Sequence, residues 1–198
     1  MHYPLPLPTI DFVRDENAKQ FDADPTTRLT ESGLKKLISK FPNNTDEADV
    51  LLKVVAINKL YSTNIHAVHH VARCIVRRDI DANLGRGSLD AVMKIASVTI
   101  NDKTRWNLSF ASKYCSWHNP NAYPIYDSYA RDALWAYNKQ YSFKEFTSNE
   151  LWDYLEFASI VSAFRRHFDL ESLTLKEVDK FLYVKGYELQ LAKTEMRI

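Results

Sequence analysis

Apolar residues recur along this chain at helical intervals, and almost nowhere do they alternate with polar ones. Leu34, Leu37, Ile38 and Phe41 mark a helix over residues 30–40, opened by Thr30-Glu31-Ser32 and ended by Pro42-Asn43-Asn44. Val50, Leu51, Val54, Val55, Ile57 and Leu60 then form a broad apolar face, which predicts a buried helix capped by Thr45. Tyr61-Ser62-Thr63-Asn64 interrupts it. The pattern next predicts a helix over 65–78, a loop over 81–87, and a helix over 89–100 capped by Ser88. Helices follow over 109–117, 127–137 and 148–168, with a short segment over 142–146 between them. A last helix over 174–184 is expected to stop at Gly186. Residues 1–28 read as loop, apart from a short turn near 15–21. No run with a period of two stands out, so the predicted fold class is all-α.

Composition supports helices. Only four glycines occur in 198 residues, too few for a turn-rich β-sandwich or barrel. The length suits one or two domains. Aromatics make up 13% of the chain and belong mostly to the core, with a few left to stack on bases. The net charge of +1 counts against strong duplex binding, because phosphate neutralisation supplies most of that affinity. A local basic patch remains, drawn from Arg73, Arg77, Arg78, Arg86, Lys103 and Arg105. Two cysteines and no long apolar run predict a soluble, cytoplasmic protein of a reducing compartment, with no membrane partner. Pro4-Leu5-Pro6-Leu7-Pro8 reads as an extended arm laid over the surface.

Several chemical constellations are weak. His66, His69 and His70 are expected on one helix, but no glutamate follows His66 and no third ligand has a motif spacing, so they read as a polar face and no metal is assigned. Cys115 and His118 sit three residues apart with nothing to form an oxyanion hole. Gly85-Arg86-Gly87 is too short for a phosphate-cradling loop, and no cofactor is expected.

The richest stretch is 109–134, SFASKYCSWHNPNAYPIYDSYARDAL. A helix runs into Asn119-Pro120-Asn121, Tyr123-Pro124 makes a second break, and Asp127 opens the next helix. Locally, Asp127 has two readings: a helix N-cap, or a positioned catalytic carboxylate shielded by the aromatics before it. Tyr123-Pro124-Ile125-Tyr126-Asp127 resembles the motif of the helix-hairpin-helix DNA glycosylase superfamily, whose members include 8-oxoguanine and adenine-mismatch glycosylases. There the aspartate begins a helix, and a residue 18 positions earlier decides the chemistry. Lysine at that position accompanies strand cleavage, and serine marks the adenine-mismatch type. Here it is Ser109, with Ala111 matching the family's alanine.

The resemblance implies two helical lobes with a cleft between them: residues 1–63 with 124–198, and residues 64–123. It implies a monofunctional DNA glycosylase of the base-excision repair type, cleaving an N-glycosidic bond without cutting the strand. Asp127 would stabilise the developing sugar charge, and Ser109 would replace the nucleophilic lysine. Lys113, one turn on, is the nearest amine. Trp106, His118, Tyr123 and Tyr126 would wall the pocket, His118 as a proton donor near neutral pH. Ser62 and Thr63 fall where the family inserts a polar wedge. One departure is large: the family's hairpin glycines are absent from 102–108, where Lys103 and Arg105 stand in their place. That departure and the near-zero net charge support an alternative, a non-catalytic helical module that binds nucleic acid or a protein on the same scaffold.

Overall fold

In a computed structural model, residues 4–100 and 102–195 are described. Ten α-helices and one two-stranded sheet make up the regular structure: α1 Ile10–Asn17, α2 Pro25–Lys40, α3 Glu47–Leu60, α4 Val68–Arg77, α5 Asp81–Arg86, α6 Asp90–Ala96, β1 Ser97–Ile100, β2 Lys103–Trp106, α7 Leu108–His118, α8 Ser128–Tyr141, α9 Tyr154–His167 and α10 Leu175–Glu195. The protein is mostly helical, as its periodicity implies. Contacts divide it into two compact units, Thr26–Tyr123 and Met1–Pro25 with Pro124–Ile198. Residues 26–63 therefore group with 64–123, where α3 lies on α4 and α7. Among the described residues no helix is long and apolar enough to cross a membrane.

The unit Thr26–Tyr123 is organised around a buried cation. Val50, Val54 and Ile57 of α3 face its core, and Lys53, on the same side of the helix, is fully buried. The Lys53 ammonium donates to Phe41 O (3.0 Å), Asn43 O (2.8 Å) and Asn44 Oδ1 (2.7 Å). Three donors meet three acceptors, which is the full capacity of an ammonium group. Asn44 relays the network. Its backbone N–H and side-chain amide donate to Asp81, and Tyr114 donates its hydroxyl to Asn44 Oδ1. The turn after α2 is thereby tied to α3, α5 and α7. Burial pushes Lys53 down to about 8, while Asp81 and Asp49 pull it upward.

The sheet is the main departure from an all-α reading. β1 pairs antiparallel with β2, with Val98 opposite Arg105 and Thr99 opposite Thr104. Val98 and Thr99 suit a pleated surface, and Asp102 takes φ 58° in the turn, a left-handed conformation that aspartate tolerates. Arg78 donates to the carbonyls of Lys94 and Ser97 and so fixes the base of the hairpin. Helix boundaries moved for local reasons. Asp46 caps α3 in place of Thr45, accepting from Ala48 N and Asp49 N. Asp81–Arg86 is a short helix, closed by Gly87 at φ 68°.

The other unit begins on the proline-rich arm. Leu5 is buried, and Gln140 and Tyr141 of α8 hydrogen-bond its backbone. Thr9 caps α1, so residues expected to be loop are helical and continue into a π-helical turn over Ala18–Asp22. The core is aromatic: Tyr137 contacts Phe164, Phe168 and Phe181 edge-on or tilted. Gly186 does not stop α10, which runs through it. A Cβ built there would lie 2.0 Å from the Tyr129 carbonyl oxygen. The glycine serves close helix packing, at a modest cost in propensity.

Two stability outcomes are expected. Gly186→Ala drives a methyl into α8 backbone and lowers the unfolding free energy by about 3 kcal/mol in denaturant titrations. Lys53→Met removes the donor from the Phe41 and Asn43 carbonyls, leaves Asn44 Oδ1 only the Tyr114 hydroxyl, and costs about 3 kcal/mol by the same measurement.

Candidate functional site

Asp127 is the N-cap of α8. Its backbone is extended (φ −153°, ψ 173°), and Oδ1 accepts from Ala130 N at 2.8 Å. Two turns of the chain lead into this position. Pro124 O accepts the buried hydroxyl of Tyr154, and Ile125 N donates to Asp179 Oδ2, both at 2.9 Å. The carboxylate is half-buried. Beside it lies a group of tyrosines: Tyr129 packs edge-on against Tyr183 and Tyr187, with ring centroids 5.0 and 5.7 Å away. Tyr183 and Tyr187 are 40% and 45% exposed. Burial raises the Tyr183 pKa, and Tyr129 and the Asp127 charge raise it further, so that hydroxyl stays protonated beside the carboxylate. The sequence pattern did not single out Tyr183 or Tyr187. Their four-residue spacing on α10 is the signal that places them on one face.

Ser109 lies in the first turn of α7, in the unit Thr26–Tyr123. Its Oγ accepts a hydrogen bond from Lys113 Nζ at 2.8 Å, one turn further along. Lys113 is buried, and its ammonium sits 5.7 Å from the Tyr61 ring centre, while Tyr61 accepts from the Trp117 indole. The serine and the nearest amine are thus joined directly.

The residues expected to wall a pocket have different surroundings. Tyr123 is completely buried, and its hydroxyl donates to Asn83 O and Ser88 O, both at 3.0 Å, so it serves as a core brace. Tyr126 is also buried, edge-on to Phe157 and Tyr154. His118 lies 5.0 Å from the Tyr114 ring, with Nε2 buried and without a hydrogen-bond partner. Burial and the nearby Lys53 charge push His118 down to about 4, against the pull of Asp81. It is neutral at pH 7, so it is not the neutral-range proton donor that its residue type suggested.

The hairpin displays its basic residues openly. Every residue of β2 is exposed, and Trp106 reaches 59%. Because side chains alternate, Lys103 and Arg105 leave one face of the ribbon and Trp106 the other, beside the Thr99–Thr104 hydroxyl contact of 2.9 Å. The remaining patch residues are dispersed: Arg73 pairs with Glu47 at 3.2 Å, and Arg78 holds the hairpin base. Ser62 (φ 50°) and Thr63 form the turn after α3, where Asn58 accepts the Thr63 hydroxyl at 2.9 Å and the Ile65 amide at 2.8 Å. His66 falls before α4, so it does not share a helix with His69 and His70.

Residues 13–122 match the model of the HI_0787_N family, described as its N-terminal domain. The chain belongs to the HI_0787_N family. Its matched span contains Lys53, Ser109, Lys113 and His118 and ends before Asp127. The chain is also 41% identical over 133 residues to a protein of Haemophilus influenzae described as uncharacterized, an alignment covering 67% of this chain. It spans 63% of that relative's length. No solved structure matches it.

The buried imidazole predicts an acid-sensitive fold for this HI_0787_N family member. Between pH 6.5 and 4 the unfolded chain takes up a proton at His118 that the folded chain refuses. The stabilisation is complete above 6.5 and is lost as pH falls toward 4. The expected loss is about 3 kcal/mol. Unfolding titrations at stepped pH check it, because His118→Phe should flatten the slope between 6.5 and 4.5. Below that window the protonation of Glu16 and Glu177, both held under their ordinary values, takes over.

Proposed function

We propose that this protein is a DNA glycosylase that cleaves an N-glycosidic bond in base excision and leaves the strand intact. The observation that carries the reading is Asp127, a half-buried carboxylate fixed at the N-terminus of α8 immediately after the Tyr123-Pro124-Ile125-Tyr126 segment. A carboxylate locked in place by Ala130 N–H needs no reorganisation when positive charge grows on a nearby sugar, which is the condition for electrostatic stabilisation. The substrate base leaves the stack before reaction. The C1′–N bond breaks, water oxygen bonds to C1′, and a water proton ends on the departing base. The products are a free base and an abasic sugar. No lysine occupies the position of Ser109, and Lys113 Nζ is engaged as the donor to Ser109 Oγ, so hydrolysis by water is favoured over Schiff-base chemistry.

A second reading has its own support. The hydrogen bond to Ala130 N accounts for Asp127 as a cap, and the exposed Lys103, Arg105 and Trp106 supply contacts for a non-catalytic nucleic-acid-binding module.

One assay separates the two. Native protein and Asp127→Asn are incubated with a panel of damaged and mismatched duplexes, with melting curves recorded for both. Asparagine caps about as well as aspartate, so the melting temperature should hold. Base release should fall by about 100-fold or more. Borohydride should trap no covalent adduct with native protein. Absence of base release from every native sample, with salt-sensitive binding weakened by replacing Lys103 and Arg105, establishes the binding module.

A further inference from the structure

We infer that Arg131 and Trp152 form a contact for a single nucleic-acid strand, with a base stacked on the indole and a phosphate held by the guanidinium. The inference rests on the reading of nucleic acid as the ligand, and it names a site apart from Asp127's own cap. Arg131 projects from the end of the first turn of α8. Its guanidinium carbon lies over the Trp152 ring, 3.6 Å from the ring centre. Trp152 is nevertheless 64% exposed, so the indole face away from the arginine is open. On the inner side Tyr126, itself buried, lies 5.5 Å from the guanidinium carbon.

The electrostatics separate this cation from Lys180 and Lys185 of the same unit, while Lys139 lies over the Trp135 ring at 4.5 Å. Lys180 and Lys185 also lie over rings, but Asp22 pairs with the first, and Glu16 and Glu188 with the second. Among the described residues no carboxylate pairs with Arg131, and its Nε is buried without a hydrogen-bond partner. The acids near it in sequence are engaged elsewhere. Asp127 accepts from Ala130 N, Glu150 from Thr147 N and Oγ1, Asp153 from Leu155 N and Glu156 N, and Asp132 pairs with Lys193. A guanidinium against an indole can still offer its terminal N–H groups to a phosphate in the guanidinium plane, the geometry in which arginine meets a phosphate. The exposed indole offers every base a π-face, so the contact takes single strands with little sequence preference.

The test is anisotropy of a fluorescein-labelled oligothymidine at several salt concentrations. It uses native protein, Trp152→Ala, Trp152→Phe and Arg131→Gln, with melting curves alongside. Trp152→Ala should weaken binding about tenfold, while Trp152→Phe keeps most of the affinity. Arg131→Gln should weaken binding several-fold and reduce the salt slope by about 0.7. Folded Trp152→Ala and Arg131→Gln proteins that bind like native protein overturn the inference, as does equal loss in the alanine and phenylalanine variants. Base release measured on the same proteins keeps the two readings distinct. Native protein that binds the oligomer through Trp152 but releases no base supports the contact and overturns the glycosylase. Release with no dependence of affinity on Trp152 or Arg131 overturns the contact alone, and no binding by native protein overturns it together with the nucleic-acid ligand.

Discussion

The approach of Gly186 to the Tyr129 carbonyl decides how the unit holding Asp127 is built. Two helices pack 8–10 Å apart when ordinary side chains separate them, and a glycine lets backbone meet backbone. Here α10 seats against the first turn of α8, at the place where a Cβ would stand 2.0 Å from Tyr129 O. The features at the start of α8 are referenced to this seat. Asp127 caps the same turn of α8, Tyr129 extends from it toward Tyr183 and Tyr187, and Arg131 follows half a turn later. The carboxylate is rigid because the helix it caps cannot slide along α10. A charge-stabilising group gains from such rigidity more than from burial, since its field is in place before the reaction begins.

The unit Thr26–Tyr123 solves a different problem. Its centre holds an ammonium group, and burying a charge costs several kcal/mol unless geometry and hydrogen bonds compensate. Lys53 meets three oxygens, two of them backbone carbonyls of the turn after α2. That turn has no helix or strand to satisfy it, so the lysine substitutes for secondary structure. The same charge then sets the state of its surroundings: together with burial it keeps His118 neutral. The imidazole is a packing group facing Tyr114, and its titration is a stability term instead of a catalytic one.

Much of this was legible in the residues, and the misses have physical causes. The Asn119–Pro124 breaks located α7 and α8, and Asp127 opens α8 as a capping residue should. The apolar stripe of α3 was visible, but its inward side carries Val50, Lys53, Val54 and Ile57, while Leu52, Val55 and Leu60 are exposed. A lysine on an apolar face is read as solvated until the tertiary structure supplies its acceptors. The hairpin was hidden because each strand has only four residues, and its turn uses Asp102 where glycine would have announced it. Gly186 read as a terminator because propensity is local, whereas the need for close approach comes from Tyr129, 57 residues earlier in the chain. Tyr123 and Tyr126 drew attention as aromatics beside a carboxylate, yet each fills the core, and the aromatic surface beside Asp127 comes from α10.

The hairpin also changes how the charge of the chain should be weighed. A net charge of +1 describes the whole molecule, but counterion release depends on the cations that reach a phosphate. Arg78 and Arg73 count toward the total while holding a carbonyl pair and a glutamate. Lys103 and Arg105, by contrast, project together from one face of an exposed ribbon. Glycine-rich turns hold a phosphate through backbone N–H groups and demand close approach, whereas a ribbon reaches it with long side chains. The second arrangement tolerates more separation and pays for it in side-chain entropy. Contacts of that kind are individually weak and strongly salt-dependent.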